Sequence, residues 1–169
     1  MIAANRGKRE DFTLDLVKSW HVEIHRDCRH IPSPAYVGNF RGSDHPHLAN
    51  YGVGFGRFLG TEPNEVEEAL RDFTSSLNDW LGRLDASMTD PAAATPSRLN
   101  TVLGCTARHY ALWLRIHPFA DGNGRTSRVL VNWILARYSP AVDPITDDCR
   151  ALTRYMRRRL VDARREASE

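Results

Sequence analysis

The chain is built around one stretch of sequence, Ile116-His117-Pro118-Phe119-Ala120-Asp121-Gly122-Asn123-Gly124-Arg125-Thr126-Ser127-Arg128. In the segment before it, apolar residues recur at helical spacing, as at Val102, Tyr110 and Trp113. Behind it, residues 129–136 are apolar on nearly every face, which is typical of a helix buried on all sides. The polar, glycine-rich loop therefore opens a central core helix, and we interpret it as a functional site.

The small and polar residues of this loop suit the binding of an anion. Gly122 and Gly124 both permit a positive φ, so we expect successive backbone N–H groups to converge on one concave nest. The loop also opens a helix, whose unpaired N–H groups and dipole attract phosphate, and Asn123 offers an amide donor to the same oxygens. Pro118 stiffens the turn, and Phe119 is expected to point into the core as a packing anchor.

The charged residues of the loop add the groups that a nucleotide requires. Arg125 and Arg128 lie three apart on one helical face, and their planar guanidinium groups match phosphate oxygens. Asp121 is a hard oxygen ligand beside the nest, as a phosphate-bound Mg²⁺ requires. His117 is the group that is neutral and basic near pH 7, which makes it the candidate general base. The set predicts a nucleoside-triphosphate site; the alternative is an ordinary glycine-rich helix start with surface arginines.

These residues resemble the signature of the Fic family, His-x-Phe-x-(Asp/Glu)-Gly-Asn-Gly-Arg-x-x-Arg, at every defined position. The resemblance implies an all-α domain, a helical bundle around a central buried helix with a small β-hairpin flap. It also implies an ATP-dependent enzyme that transfers AMP to a Ser, Thr or Tyr hydroxyl of a target protein and releases pyrophosphate. The family assigns proton abstraction to His117, Mg²⁺ or Mn²⁺ binding to Asp121, the α- and β-phosphates to Gly122, Asn123, Gly124 and Arg125, and the γ-phosphate to Arg128.

Residues 35–60 differ in character from the rest of the chain. Aromatic residues and glycines alternate there around a turn-forming centre, which predicts a short β-hairpin or an ordered flap. Fic proteins carry a flap here that holds the target segment by strand addition. The segment Gly38-Asn39-Phe40-Arg41 resembles the flap motif Gly-x-(Phe/Tyr)-Arg, and we expect it to dock the target. A hairpin that is only structural is the alternative.

The 169 residues are interpreted as one domain, since 41% of them are hydrophobic and their number suffices for a core. We expect residues 1–11 to be a mobile arm, residues 12–140 to be the domain core, and residues 141–169 to add a helix packed on the same domain. Helices are predicted from about Phe12, from a start at residues 61–65, and from a cap at Thr95-Pro96.

The last predicted helix has an arginine-rich face, which includes Arg150, Arg154 and Arg157. A solvated face and an acidic protein partner are both open interpretations. Nucleic acid is disfavoured because the net charge is only +2 and no basic-aromatic platform is present.

Composition and spacing also bear on compartment and metals. The three cysteines, Cys28, Cys105 and Cys149, are odd in number and lack CxxC spacing, so we expect reduced thiols in a cytoplasmic protein. No segment has the length of a membrane span or of a signal core, so no membrane contact is expected. His21 and His25 have a spacing that also suits a zinc site, but a simple helix face is favoured because no further ligand is arranged around them.

Two other classes of function remain open beside adenylyl transfer. One is a different reaction on the same scaffold: transfer of phosphate or another nucleotide, or removal of AMP. The phosphotransferase branch of the family commonly has a lysine where this chain has Gly124. The other is a silent interaction module, against which the intact loop speaks. Many Fic proteins are restrained by a glutamate in a (Ser/Thr)-x-x-x-Glu-(Gly/Asn) motif. The sequence contains no good match, so if Arg128 is restrained, we expect the glutamate to come from a separate antitoxin chain, with this chain as the toxin. An unrestrained or differently regulated enzyme is the alternative.

Overall fold

The computed structural model describes residues 9–28, 31–55, 58–88 and 95–138. Within these residues the chain forms four α-helices, Leu14–His25 (α1), Val66–Ser87 (α2), Pro96–Ile116 (α3) and Asn123–Tyr138 (α4). Two-residue strands, Gly54–Phe55 (β1) and Phe58–Leu59 (β2), pair antiparallel. The predicted all-helical fold with a small hairpin is confirmed. The predicted helix in residues 141–169 and the first eight residues of the predicted arm lie outside the described residues.

Threonine side chains begin two of the helices. Thr13 accepts a hydrogen bond from the Leu16 N–H before α1, and Thr95 does the same for the Arg98 N–H before α3, so the predicted cap at Thr95 is confirmed. The start of α2 differs from the prediction. Residues Pro63–Glu65 form a single 3₁₀ turn without a side-chain cap, and the α-helix begins only at Val66. Proline suits this entry turn because it lacks the N–H that the first turn leaves unpaired.

Helix α4 lies at the centre of the bundle and packs against α3 and α1. Its buried residues cover every side of the helix: Asn123, Thr126, Ser127, Leu130, Val131, Asn132, Trp133, Ile134, Leu135, Ala136, Arg137 and Tyr138. The prediction of a helix buried on all sides is confirmed. Phe12, which precedes α1, packs edge-on against Trp20, Phe73 and Trp133 at centroid distances of 5.6–6.2 Å. This aromatic cluster joins α1, α2 and α4 in one core.

The hairpin occupies only the end of the predicted flap. The earlier part of that segment reverses direction at Gly38 and Gly42, whose φ angles of 75° and 73° do not occur in a strand. At Gly42 a Cβ atom would lie 1.7 Å from the Pro63 carbonyl oxygen, so the two backbones touch there. The segment Gly38-Asn39-Phe40-Arg41 therefore packs onto the domain instead of forming a strand.

Among the described residues, no helix has both the length and the apolar character that a membrane span requires.

A buried ion pair joins the C-terminal ends of α2 and α4. The Arg137 side chain is only 4% exposed and donates from Nε to Asp85 Oδ1 at 3.1 Å, and the Tyr138 hydroxyl donates to the same oxygen at 2.9 Å. Burial alone would raise the pKa of the Asp85 carboxyl, but these donors hold the pKa below its usual range. Arg137 and Arg9 also donate to the carbonyls of Glu10 and Met88, respectively, which fixes the chain before α1.

We expect Arg137→Met to lower the free energy of unfolding by about 3 kcal/mol, because Asp85 is then left buried without its cation. The matched control is Arg71→Met on α2, where Arg71 is 64% exposed beside Glu67 and a loss below about 1 kcal/mol is expected. Urea unfolding at pH 7 measures both. Equal losses in the two variants would contradict the structural role given to the buried pair.

Candidate active site

Residues 117–122 connect the end of α3 to the start of α4, so two opposite helix termini meet at this loop. His117 ends α3 in the left-handed region, with φ 52° and ψ 57°, and its N–H donates to the Trp113 carbonyl at 2.9 Å. Among the described residues it is the only one other than glycine with a positive φ. Such a conformation is uncommon outside glycine and asparagine, so the surrounding structure has to stabilise it.

The predicted site residues come together in one cleft of about 250 Å³. The residues that line it are His117, Ala120, Asp121, Gly122, Asn123, Gly124, Arg125 and Arg128. Pro118 and Phe119 do not line it, and Phe119 is fully buried, as its predicted role as a packing anchor requires. A larger groove of about 500 Å³ lies between α2 and α3, but none of residues 117–128 line it. We therefore take the smaller cleft as the candidate site.

The geometry of His117 suits a general base. Its Nδ1 lies 3.3 Å from the Leu114 carbonyl oxygen. A carbonyl can only accept, so Nδ1 carries the proton and Nε2 carries the lone pair. Burial lowers the pKa of His117, and the charge of Arg41 lowers it further, while the Leu114 carbonyl and the Asp121 carboxylate oppose the shift. The imidazole is therefore neutral near pH 7 and can accept a proton.

The two glycines do not act alike, which corrects the predicted nest. Gly122 has a φ of 78°, and a Cβ atom there would lie 2.6 Å from His25 Cε1, so this position requires glycine twice over. Gly124, in contrast, lies inside the first turn of α4, and a Cβ atom there would meet nothing within 4 Å. The cleft is therefore concave because of the turn at Gly122 and the N-terminus of α4 that follows it. At Gly124 no side chain covers the backbone that lines the cleft.

The Asn123 side chain does not point its amide at the cleft, which corrects a second prediction. Its Oδ1 accepts from the Phe119 N–H at 2.9 Å, and its Nδ2 donates to the Phe119 carbonyl at 2.8 Å. The residue is only 2% exposed. The Asn123 side chain therefore stabilises the loop by bonding across it to Phe119, so Asn123 lines the cleft with its backbone.

Asp121 and Arg125 are paired with each other across the first turn of α4. Arg125 Nη2 lies 2.8 Å from Asp121 Oδ2, and the Asp121 side chain is 66% exposed. Burial alone would raise the pKa of the Asp121 carboxyl, but the Gly122 N–H and the charge of Arg125 hold the pKa below its usual range. The carboxylate is therefore ionised at neutral pH, as a metal ligand must be.

Two residues of α1 contact residues at the start of α4 and in the loop before it. This role could not be predicted from the sequence. His21 and His25 (the histidine pair) are both buried. The His21 Nε2–H donates to the Asp121 carbonyl at 2.9 Å, while Nδ1 accepts from the Gly38 N–H at 3.0 Å. His25 Nε2 lies 3.2 Å from Arg125 Nη2. In the sequence, the four-residue spacing of His21 and His25 was the signal that could have indicated this role. The described residues contain no group of three or more possible metal ligands.

The predicted docking segment lies against the loop, with its arginine buried. The Phe40 ring packs on Phe119 at a centroid distance of 4.9 Å, and Asn39 Nδ2 donates to the Ala35 carbonyl at 3.0 Å. Arg41 is 1% exposed, and its N–H donates to the Pro118 carbonyl at 2.8 Å. Target docking by this segment stays a prediction, and any contact would fall to residues other than the Arg41 side chain.

The chain is similar to known proteins in sequence. Residues 11–135 match the model of the Fic/DOC family. The chain is 32% identical over 126 residues to protein adenylyltransferase fic-1 of Caenorhabditis elegans, covering 73% of this chain and 20% of the relative. It is 50% identical over 125 residues to protein adenylyltransferase Fic of Drosophila sechellia, covering 73% and 21%, respectively. The chain thus spans about a fifth of the length of these relatives.

The fold is similar to that of a solved protein. A Fic domain containing signaling protein from Bacteroides thetaiotaomicron superposes with a TM-score of 0.59 at 23% identity. The superposition covers 92% of this chain and 50% of that protein. This likeness concerns the fold. Together with the packing of α4 at the centre of the bundle, it supports a helical domain arranged as in that protein.

The buried histidine of α1 makes stability depend on pH. Burial lowers the pKa of His21 from its ordinary value of 6.5 to about 4. Between these values the unfolded chain binds a proton that the folded chain excludes, so the free energy of unfolding should fall as the pH drops through this range. Urea unfolding at several pH values between 7 and 4 measures the slope.

His21→Gln should make this slope shallower, since it removes the group that titrates. Part of the slope should remain, because burial also lowers the pKa values of His109 and His117. His47→Gln, at an exposed position, is the control and should keep the wild-type slope. An unchanged slope in His21→Gln would show that the buried imidazole does not exclude the proton.

Proposed function

Because this chain belongs to the Fic/DOC family, we propose that it transfers AMP from ATP to a Ser, Thr or Tyr hydroxyl of a target protein and releases pyrophosphate. The observation that carries the proposal is the meeting of a neutral histidine with the N-terminus of α4 and two arginines in one cleft. Its relatives are named protein adenylyltransferases, which supports the same reaction class.

The N-terminus of α4 is the proposed phosphate site. The first N–H groups of a helix have no partner within the helix, and together with the dipole they attract an anion. The bare wall at Gly124 lets phosphate oxygens approach the backbone. Arg125 in the first turn of the helix and Arg128 in the second line the same cleft. We propose that the backbone from Gly122 to Gly124 holds the α-phosphate, Arg125 the β-phosphate and Arg128 the γ-phosphate.

Asp121 is the proposed ligand of Mg²⁺ or Mn²⁺. The donor set fits such an ion, since Mg²⁺ commonly takes one or two carboxylates, several waters and the phosphate oxygens of its substrate. The ionised, exposed carboxylate at the cleft edge meets this requirement without further protein ligands. When bound, the ion would neutralise charge on the phosphate oxygens as pyrophosphate leaves.

The chemistry assigned to His117 is removal of one proton. Nε2 takes the proton of the target hydroxyl, and the hydroxyl oxygen forms a bond to the α-phosphorus of ATP. The bond from that phosphorus to the bridging oxygen of the β-phosphate breaks in line, and the electron pair leaves with pyrophosphate. The two arginines face the charge that develops on the leaving group.

The regulation and location of the enzyme are further parts of the proposal. We propose that an inhibitory glutamate from an antitoxin chain would act on Arg128, as the resemblance to the family implies. A cytoplasmic location is supported by the free thiols of Cys28 and Cys105. Phosphotransfer is the alternative enzyme reaction, and the missing side chain at Gly124 disfavours it.

We expect ATP labelled at the α-phosphate, and not at the γ-phosphate, to label a target protein when the enzyme is added to a cell extract. His117→Ala should lower the rate of this labelling at least about 10²-fold, because a general base acts on the target hydroxyl. The affinity for ATP, measured by calorimetry, should change little because the imidazole does not hold the nucleotide.

Arg71→Ala is the control for this experiment, since it removes an exposed side chain of α2 that belongs neither to the cleft nor to the predicted flap. It should keep both the rate and the affinity. If label from the γ-phosphate appears on the target, the reaction at this site is phosphoryl transfer and not adenylyl transfer. Labelling at the wild-type rate by His117→Ala would remove the role given to His117.

A further inference from the structure

Arg41 places a buried positive charge behind the candidate site. Its guanidinium donates from Nε to the His117 carbonyl at 2.7 Å and from Nη1 to the Tyr51 carbonyl at 2.8 Å. Its Nη2 donates to the carbonyls of Thr61 and Ile116 at 2.9 and 3.0 Å. Four carbonyl oxygens from three segments of the chain thus accept from one side chain.

Two of these carbonyls belong to the end of α3. The last carbonyls of a helix lack partners within the helix and carry the negative end of its dipole, so a buried cation there is favourable. A guanidinium group has its five donors in a fixed planar fork and can bond several acceptors at once, which an ammonium group cannot do in this geometry. Arg41 therefore satisfies the terminus that His117 ends, while its own backbone N–H bonds the Pro118 carbonyl.

Gly60 leaves room for this arrangement. A Cβ atom at Gly60 would lie 3.3 Å from Arg41 Nη2, 3.2 Å from His117 Cβ and 2.6 Å from Val53 Cγ2. The arginine and the histidine thus pack against the same bare backbone. The end of β2 is thereby joined to the end of α3, where the Thr61 N–H also donates to the Arg115 carbonyl at 3.2 Å.

We propose that Arg41 is a positioning residue for His117: by bonding the Ile116 and His117 carbonyls, which flank the Cα atom of His117, it sets the left-handed backbone of His117 and so the direction of its imidazole. Arg41 does not line the cleft and acts only through the histidine. Its charge also disfavours a second proton on His117, against the opposing effects of Asp121 and the Leu114 carbonyl. This role differs from the target docking expected of the same residue from sequence.

Two substitutions at Arg41 test the proposal. Arg41→Met removes the charge and all donors, and Arg41→Lys keeps the charge but not the planar fork. Arg71→Met, at an exposed arginine of α2, is the matched control. The first measurement is the ¹⁵N NMR spectrum of the His117 ring without nucleotide, which reports its tautomer. The second, which rests on the proposed function, is the split between kcat and KM for ATP.

We expect both Arg41 variants to lose the single Nδ1–H tautomer signature of His117, with a smaller change in Arg41→Lys. We expect kcat to fall at least about tenfold with KM for ATP within about threefold, since only the base is misplaced. Arg71→Met should match the wild type in both. If the wild type transfers no AMP, the proposed function fails while the NMR measurement still decides the role of Arg41.

Unchanged ring signals and unchanged kcat in a folded Arg41→Met would overturn the proposal. If that variant does not fold, Arg41→Lys decides by the same two measurements. Loss of the folded state in both variants would also overturn it, because Arg41 would then support the whole domain and not the histidine in particular.

Discussion

Two opposite helix termini meet at the loop of residues 117–122, and each needs hydrogen-bond partners that the helix itself cannot supply. The carbonyl end of α3 obtains them from the buried guanidinium of Arg41. The N-terminus of α4 lies at the cleft, which Gly122, Asn123 and Gly124 line. The loop is therefore held by Arg41 at the end of α3, while the start of α4 lies at the cleft. His117 lies where the satisfied terminus ends.

The loop has little freedom because other parts of the chain bond its backbone on both sides. From α1, His21 bonds the Asp121 carbonyl and stacks on Phe119 at a centroid distance of 3.8 Å. From within, Asn123 bonds both backbone groups of Phe119. From α3, the Trp113 indole N–H donates to the Thr126 hydroxyl at 3.2 Å. A site held in this way needs little rearrangement when a ligand binds, which favours catalysis.

Much of this architecture could be predicted from sequence, since it depends on local signals. The apolar character of residues 129–136 predicts the buried helix, and Thr95-Pro96 predicts the start of α3. The loop residues come together in the cleft because they are consecutive. The parts that sequence did not reveal depend on contacts between distant segments. Whether Asn123 faces the cleft, and whether Arg41 is buried, is decided by packing against residues that periodicity cannot identify.

We propose above that the N-terminus of α4 binds ATP with its α-phosphate facing His117. A crystal structure of His117→Ala with ATP and Mg²⁺ tests it most directly, because the variant should bind the nucleotide without consuming it. We expect the α-phosphate to lie against the backbone of Gly122 to Gly124, on the side where the imidazole was, with the γ-phosphate beside Arg128. The γ-phosphate at the position nearest residue 117, or the nucleotide in the groove between α2 and α3, would contradict it.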